Sequence, residues 1–383
     1  MPYYQRILNL ENDAKKRSLF LFGPRLTGKT ALLKKTFPAT ISFNLLLADV
    51  FLKLSQRPQL IRETVSAQGA GRLQPIVIDE IQKMPHLLDE VHNMIEEFGL
   101  RFILTGSSPR KLKRGGANLL GGRAWTKHLF PLVTKEILNY DLQRILNIGA
   151  LPLVYDSDEP RKDLAAYVGN YLQEEIQAEG LARKIENFSR FLQTAALMNT
   201  EVINFESVAR DAQVPPRTIR EYFMILQDTL IGTLVVPYAK TEKRKTISSA
   251  KFYFFDVGVS NFLAGRQNIQ PKTELFGKVF EHFIFTELRA FLNYTDKDHS
   301  LCFWRTKTRE EVDFIIGDEM AIEVKGTEFV ADKHLKGLLA LNEEIKFKHN
   351  IVVSLDSEPR KIGNTDILPV RMFLEKLWSG DFF

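Results

Sequence analysis

The segment Gly23–Thr30 constrains the fold of this chain more than any other part of its sequence. It reads Gly-Pro-Arg-Leu-Thr-Gly-Lys-Thr and matches the phosphate-loop pattern G-x-x-x-x-G-K-[ST]. The apolar run SLFLF at 18–22 precedes it, and the helical pattern ALLKKTF at 31–37 follows it. In a strand, loop and helix of this kind, backbone N–H groups wrap the phosphates and the helix N-terminus adds partial positive charge. The sequence therefore predicts a domain that binds ATP or GTP.

Two side chains of this loop have specific predicted roles. We expect Lys29 to reach the β and γ phosphates and Thr30 to ligate Mg²⁺. The other residues of the loop contribute mainly their backbone. The predicted nucleotide-binding residues are Gly23, Pro24, Arg25, Leu26, Thr27, Gly28, Lys29, Thr30, Ala31 and Ser107.

An acidic motif follows the phosphate loop along the chain. The apolar run PIVID ends in Asp79, and Glu80 comes directly after it. We expect Asp79 to hold Mg²⁺ through water, and Glu80 to polarise the water that attacks the γ phosphate. The combination of the two motifs indicates hydrolysis rather than binding alone.

Two further polar positions have alternative interpretations. The run RFILTG is followed by Ser107 and Ser108, where a side chain either senses the γ phosphate or caps a helix. Arg123, in the segment LLGGRAW, is either an arginine finger or sensor that stabilises phosphoryl charge, or a surface arginine on a glycine-rich loop.

Four runs of the first third, LFLFGPRLTGKT, IVIDEIQKMP, FILTGSSPRKL and LLGGRAWTKHLFPLVTKEI, resemble AAA-superfamily ATPases of bacteria and archaea that carry a C-terminal domain of unknown function. The later segments IGALPLVY, KFYFFDVGVSNFLAG, EVDFII and AIEVKG are similar to the same family, so the resemblance covers essentially the whole chain. It implies ATP as the nucleotide, and a five-strand core in which the Asp79 strand lies beside the strand that ends before Ser107.

Length and composition limit the number of domains and the cellular setting. The 383 residues correspond to two or three domains, and 44% apolar with 26% charged residues is typical of a globular protein. The single cysteine, Cys302, cannot form an intrachain disulfide, and the first residues lack the apolar core of a signal peptide, so we expect a cytoplasmic protein. No apolar run is long enough to span a bilayer. A net charge of +5 permits contact with nucleic acid without indicating it.

The segment 205–238 fits a winged helix-turn-helix. A helix ends near Ala212, a turn passes through two prolines, and a second helix starts at Arg217, from which Arg217 and Arg220 would point towards a DNA groove. The alternative is a module that packs on its neighbours and binds no DNA, with solvated lysines in its loops. The basic residues that could lie along phosphates are Lys240, Lys243, Arg244 and Lys245 in one loop, and Arg110, Lys111, Lys113 and Arg114 in another.

Three carboxylates and a lysine form a second candidate site near the C-terminus. Glu281 lies on a predicted helix, Asp313 on one strand, and Glu323 with Lys325 on the next. A turn at Gly317 brings Asp313 opposite or nearly opposite residue 322 or 323, and Lys325 shares the face of Glu323. Hard oxygen ligands of this kind gather Mg²⁺, and a lysine orients the attacking water, as phosphodiester hydrolysis requires.

This pattern resembles the PD-(D/E)XK nuclease superfamily, although the usual proline before Asp313 is absent. The resemblance implies Glu281, Asp313 and Glu323 as metal ligands, and Asp313, Glu323 and Lys325 as catalytic residues. The alternative is a surface hairpin with a ladder of charged side chains. The nearby residues Arg305, Lys307 and Arg309, beside Trp304, either contact phosphates or belong to a solvated edge strand.

The sequence as a whole predicts an α/β protein of three parts. These are a AAA-type P-loop ATPase core with a parallel sheet over 1–135, a helical lid and winged helix-turn-helix over 136–256, and a PD-(D/E)XK-like α/β domain over 257–383. We expect Mg²⁺-dependent ATP hydrolysis coupled to action on double-stranded DNA, with homo-oligomer formation as an open alternative. The competing hypothesis is a nucleotide-gated switch that binds DNA or protein and cleaves neither.

Overall fold

The computed structural model describes residues 3–68, 75–110, 112, 120–172, 185–240 and 248–383. They form two compact units, Met1–Pro131 with Asp228–Ile231, and Leu132–Gln227 with Gly232–Phe383. Six of the basic loop residues predicted to contact phosphate lie outside the described residues. They are Lys111, Lys113, Arg114, Lys243, Arg244 and Lys245.

The first unit is built on a five-stranded parallel sheet. The order of its strands is β2-β3-β4-β1-β5. Every residue of β1, β3 and β4 is buried, because helices cover both faces of a parallel sheet. The strands are β1 Ser18–Phe22, β2 Ser42–Asn44, β3 Ile76–Asp79, β4 Phe102–Gly106 and β5 Ala124–His128; the helices are Glu11–Lys16, Lys29–Thr36, Ala48–Gln56, Leu60–Gln68 and Leu87–Phe98.

The order of the strands positions the acidic motif. β3, which ends in Asp79, pairs with β4, which precedes Ser107. This confirms the neighbours that the family resemblance implied. The apolar run KHLFPL predicts the fifth strand at 127–132, and the strand occurs at Ala124–His128. The chain leaves the sheet after Leu129, whose N–H donates to the Phe22 carbonyl (2.8 Å), and Pro131 has no N–H with which to continue the ladder.

The N-terminal part of the second unit is helical and ends in a hairpin. Its last helices surround an aromatic cluster in which the Phe191 and Phe223 rings lie 4.9 Å apart and the Phe223 and Phe252 rings 5.0 Å apart. The helices are Leu142–Ile148, Pro152–Tyr155, Pro160–Ala166, a π-helical stretch Tyr167–Leu172, Ile185–Leu197, Phe205–Ala212 and Pro216–Asp228; the antiparallel hairpin is β6 Gly232–Val235 with β7 Lys251–Phe254.

The C-terminal part of the second unit contains a mixed six-stranded sheet of order β12-β13-β11-β10-β9-β8. β8, β9 and β10 form an antiparallel meander, whereas β11 pairs with β10 in parallel. The strands are β8 Leu301–Arg305, β9 Glu311–Ile316, β10 Met320–Lys325, β11 His349–Ser354, β12 Arg360–Ile362 and β13 Thr365–Pro369; the helices are Val257–Leu263, Glu274–Tyr294, Lys336–Asn342 and Val370–Ser379. The protein is therefore α/β, as predicted, with a parallel sheet followed by a mixed one.

The hairpin of the helical part continues onto the C-terminal sheet. Phe303 of β8 donates its N–H to the Val236 carbonyl (3.2 Å) and accepts a hydrogen bond from the Tyr238 N–H (2.6 Å). The hairpin and the sheet therefore share backbone hydrogen bonds. No helix among the described residues is both long enough and apolar enough to cross a membrane.

Candidate nucleotide site and C-terminal carboxylate cluster

The phosphate loop leaves β1 and enters the helix Lys29–Thr36 through backbone conformations that suit glycine. Gly28 has φ 96°, in the left-handed region where a side chain is strained. At Gly23 a Cβ atom would lie 2.3 Å from the Leu129 carbonyl oxygen, so this close approach also requires glycine. The two glycines of the sequence motif are thus required by the local backbone.

Lys29 and Thr30 project from the first turn of that helix. The Lys29 ammonium donates to the carbonyls of Gly23 (2.6 Å) and Pro24 (3.2 Å) and is buried against the loop. The Thr30 hydroxyl donates to Asp79 Oδ2 (3.0 Å). The structure therefore brings the phosphate loop and the acidic motif together at the carboxyl edge of the sheet.

Arg6 supports the loop from outside the motif. Its guanidinium donates to the Thr27 carbonyl (2.6 Å) and to the Phe130 carbonyl (2.7 Å), and it is buried. It thus connects the phosphate loop to the segment that follows β5. Sequence reasoning missed Arg6, since no motif includes it and its partners are distant in the chain.

The acidic motif is held by a threonine of the neighbouring strand. The Thr105 hydroxyl donates to Asp79 Oδ1 and accepts a hydrogen bond from the Glu80 N–H (3.1 Å). Ser107, the residue predicted as sensor, lies past the end of β4 and is buried. The described contact to the acidic motif is therefore made by Thr105, two positions earlier.

Glu80 is held in an unusual conformation. Its φ is 63°, which is uncommon for a residue with a side chain and is often found at functional sites. The Gln82 amide donates to Glu80 Oε2 (2.5 Å), so the carboxylate is fixed beside the end of β3. A strained backbone and a fixed side chain suit a residue that positions water.

The oxygen atoms at this edge of the sheet suit a magnesium ion. Thr30 and Asp79 present hydroxyl and carboxylate oxygens within hydrogen-bond distance of each other, beside the loop that receives phosphates. Mg²⁺ prefers such hard oxygen ligands and is commonly held by one carboxylate together with substrate phosphates. The donor set therefore fits the predicted ion.

Arg123 lies at the opposite end of the strands of the same sheet. β5 runs parallel to β1 with Ala124 opposite Ser18, whereas the phosphate loop follows Phe22 at the other end of β1. Five residues at about 3.3 Å each put Arg123 roughly 16 Å from the loop edge. There its guanidinium pairs with Glu96 of the helix Leu87–Phe98. Within its own chain, Arg123 therefore lies at the end of the strands remote from the phosphate loop.

The C-terminal residues meet in the meander of β9 and β10. The pairing of Phe314 with Ile322 sets a register in which Asp313 and Glu323 lie opposite each other. Asp313 Oδ2 accepts the Val324 N–H (2.8 Å), and the Lys325 ammonium lies 2.5 Å from Glu323 Oε1. The other oxygen of Glu323, Oε2, is buried and has no hydrogen-bond partner among the described residues. Burial, and then the Asp313 carboxylate, raise the pKa of Glu323 to about 8.

Lys251 of β7 enters this cluster, although sequence reasoning did not select it. Its Nζ lies 3.0 Å from Glu281 Oε1, 2.5 Å from Glu311 Oε1 and 3.7 Å from Asp313 Oδ1. The Tyr253 hydroxyl donates to the same Glu281 oxygen (2.5 Å). Burial alone would lower the pKa of Lys251, but these carboxylates hold that pKa well above its usual value.

The three-carboxylate Mg²⁺ site at Glu281, Asp313 and Glu323 stays a prediction, and the position of the Lys251 ammonium argues against it. Within the described ranges, no three His, Cys, Asp or Glu side chains are grouped to hold a metal ion. The physical reason is that the Lys251 ammonium lies between Glu281 and Asp313, and an ammonium repels a divalent cation. The donor set does not fit the metal.

The basic residues predicted to contact phosphate have varied surroundings. Arg217 is 93% exposed and lies 3.7 Å from Glu221, and the Arg220 guanidinium stacks over the Phe205 ring (4.5 Å). Lys240 pairs with Asp318 (2.7 Å), and Arg110 pairs with Asp228. Arg305 lies 3.4 Å from Glu311 Oε2, whereas Lys307 and Arg309 are exposed and Trp304 is fully buried.

Three protein families match consecutive parts of the chain. Residues 15–138 match a family described as AAA domain. Residues 139–270 and 276–373 match two families described as domains of unknown function, DUF8612 and DUF4143 respectively.

Two uncharacterized proteins of Methanocaldococcus jannaschii are similar to this chain. One is 23% identical over 425 residues, with 95% of this chain and 86% of the relative covered. The other is 21% identical over 295 residues, with 70% of this chain and 63% of the relative covered.

Three solved structures have low overall similarity to this chain. The Aeropyrum pernix ORC1 protein in complex with DNA has 13% identity and a TM-score of 0.26, covering 65% of this chain and 86% of that chain. The replication initiator DnaA bound to AMPPCP and single-stranded DNA has 14% identity and a TM-score of 0.28, covering 59% and 89%. A signal transduction ATPase with numerous domains from Pyrococcus horikoshii has 17% identity and a TM-score of 0.25, covering 77% and 48%.

The N-terminal unit combines a phosphate loop after β1, an acidic motif after the neighbouring β3 and the AAA family match. It has the fold of a P-loop ATPase of the AAA type.

Proposed function

We propose that this protein is an ATPase that binds Mg²⁺-ATP at the phosphate loop and hydrolyses its γ phosphate. The observation that carries the proposal is the contact of Thr30 with Asp79 beside the fixed Glu80. When bound, Mg²⁺ would neutralise charge on the β and γ phosphates, held by Thr30 directly and by Asp79 through water. Lys29 would exchange its contacts with the loop carbonyls for contacts with those phosphates.

Glu80 is the residue that we propose to activate water. Its carboxylate accepts the Gln82 amide through Oε2, which leaves Oε1 to orient the attacking water and accept its proton. Thr105 holds both Asp79 and the Glu80 backbone, so it is a positioning residue. ATP is the nucleotide proposed, because the AAA family matches this part of the chain.

Two substitutions separate binding from turnover. Lys29→Ala should weaken nucleotide binding by more than tenfold, whereas Glu80→Gln should bind ATP normally and hydrolyse it at least about a hundredfold more slowly. Fluorescent-nucleotide titration and phosphate release measure the two effects. Lys34→Ala, an exposed lysine on the same helix, is the matched control. Full turnover by the Lys29→Ala protein would contradict the assignment.

Arg123 is proposed to act on a neighbouring copy of the chain. Its position at the end of β5 remote from the phosphate loop separates it from phosphates bound by the same chain. A guanidinium supplied by another subunit is a common means of stabilising the transferred phosphoryl group. The proposal therefore includes a homo-oligomer in which the arginine finger acts between subunits.

Double-stranded DNA is the partner that we propose for the helix Pro216–Asp228. Its inner face is buried through Ile219 and Phe223, whereas Arg217 on its first turn is almost fully exposed. The preceding helix, the turn at Gln213 and the β6–β7 hairpin support the proposal of a winged helix. The alternative, a protein partner on the same face, predicts binding that does not depend on DNA.

The C-terminal part supports a binding or switching role better than nuclease activity. Its upstream helix, β8–β10 meander and parallel β11 are the features that favour a PD-(D/E)XK-like fold, and Asp313, Glu323 and Lys325 are adjacent there. The Lys251 ammonium between Glu281 and Asp313 nevertheless opposes binding of the metal that such cleavage uses. We therefore propose a nucleotide-gated switch in which ATP state changes the affinity for DNA.

A further inference from the structure

Lys251 is a buried cation that the proposed ATPase does not use. It is 2% exposed, and its aliphatic stem comes from β7, the second strand of the hairpin that follows the helix Pro216–Asp228. Its ammonium also lies over the Phe303 ring, 5.4 Å from the ring centre. A buried ammonium is costly unless its charge is compensated, and here three carboxylates compensate it.

The three carboxylates around Lys251 come from two different elements. Glu281 lies on the helix Glu274–Tyr294, while Glu311 and Asp313 lie on the same face of β9, two residues apart. A positive charge offsets the mutual repulsion of three carboxylates whose oxygens lie 2.5 to 3.7 Å from one point. The geometry therefore defines a cation position, and the chain fills that position with Nζ of Lys251.

We propose that Lys251 takes the position that a divalent cation would take in this cluster, so that the C-terminal part works without a bound metal. The ammonium supplies the compensating charge and fixes the hairpin to the helix and to β9 at once. The carboxylates become an internal ion-pair network rather than a hydrolytic centre.

A second observation indicates that the cluster would accept a metal if Lys251 were absent. Glu323 Oε2 is buried and lacks a hydrogen-bond partner within the described part of the chain, and it belongs to the residue opposite Asp313. Together with the Glu281 and Asp313 oxygens that Lys251 now contacts, it would give a set of hard oxygen ligands. Removal of the ammonium should therefore create a metal site.

Manganese binding to the full-length protein tests the proposal. All proteins carry Asp79→Asn, which removes the ligand of the ATPase site, and free Mn²⁺ is followed by electron paramagnetic resonance without nucleotide. The parent protein should show no Mn²⁺ site that depends on Asp313. Lys251→Ala should gain one site with at least tenfold higher affinity, and Lys251→Ala with Asp313→Asn should lose it. Lys240→Ala, which removes an exposed lysine paired with Asp318, should behave as the parent.

Two outcomes would overturn the proposal. The first is a folded Lys251→Ala or Lys251→Met protein, verified by circular dichroism, that binds no more Mn²⁺ than the parent. The second needs no substitution at position 251: the parent binds Mn²⁺ tightly and Asp313→Asn abolishes this binding, which would mean that metal displaces the ammonium.

Discussion

At the scale of single residues, His282 is a buried ionisable group whose charged form the fold disfavours. The imidazole is 1% exposed. Its Nε2 lies 2.7 Å from the Phe254 carbonyl oxygen, and its Nδ1 lies 3.1 Å from the Asn199 amide nitrogen. These partners suit a neutral ring that donates with one nitrogen and accepts with the other. Burial lowers the pKa of His282 from 6.5 to about 4.

This shift predicts how stability depends on pH. The unfolded chain binds a proton at His282 below about pH 6.5, whereas the folded protein binds it only near pH 4. The contribution of neutral His282 to the free energy of unfolding is therefore complete above pH 6.5. It is lost as the pH falls towards 4, with a slope of about 1.4 kcal/mol per pH unit. Urea unfolding of the wild type and of His282→Gln between pH 4 and 7 measures it.

The difference in stability between the wild type and His282→Gln measures the effect of the histidine. Buried Glu281 and Glu287, whose pKa values are both raised to about 7 by burial, give the opposite slope, but they are present in both proteins. The wild type should lose more stability than His282→Gln on acidification. Parallel curves for the two proteins would contradict the prediction.

At the scale of elements, the helix Pro216–Asp228 gives the sharpest test of DNA contact. Arg217→Glu reverses an exposed charge near the start of the helix and should weaken binding to double-stranded DNA by about tenfold, while the salt dependence of binding becomes shallower. Fluorescence anisotropy at several salt concentrations measures both. Lys361→Glu on β12, also exposed, is the matched control and should bind as the wild type. Equal affinity for both variants would favour the protein-partner alternative.

Local patterns predicted many of these elements. The apolar runs of the first unit predicted its buried strands because a parallel sheet has no solvent-exposed face. The register of β9 and β10 was predictable because the turn at Gly317, with φ 52°, determines which residues face each other. Neither β12 nor β13 was predicted. β12 gives little signal in the sequence, because it has only three residues and none of them is buried.

Contacts between distant segments were not predictable in the same way. Lys251 looked like an ordinary residue of a strand, and only the packing of β7 against the helix Glu274–Tyr294 brings it to Glu281. Thr105 was overlooked in favour of Ser107, because the side chain that reaches Asp79 depends on how β3 and β4 are aligned. In both cases the chemistry depends on tertiary packing rather than on spacing along the chain.

At the scale of the whole molecule, the position of Arg123 predicts complementation between defective subunits. Arg123→Ala and Lys29→Ala should each hydrolyse ATP poorly alone, whereas their mixture should recover part of the activity. The reason is that an intact phosphate loop from one copy can then meet an intact arginine from another. Phosphate release from mixtures at several ratios measures the recovery.

The control mixture combines Lys29→Ala with a protein that carries both substitutions. It contains no intact phosphate loop and should remain inactive at every ratio. Wild-type turnover by Arg123→Ala alone would refute the intersubunit role, and Arg123 would then serve only to pair with Glu96.

Gly106 has no side chain, and this offers a way to alter the rate of the proposed ATP hydrolysis. A Cβ atom there would lie 2.6 Å from Gln82 Oε1, and the same carboxamide holds Glu80 through its nitrogen. Even a single methyl group at this position would push the carboxamide away and release the glutamate. Variants that retain ATP for long periods could therefore be obtained by changing a residue that makes no contact with the nucleotide, so a screen for slow turnover should not be limited to the binding loop.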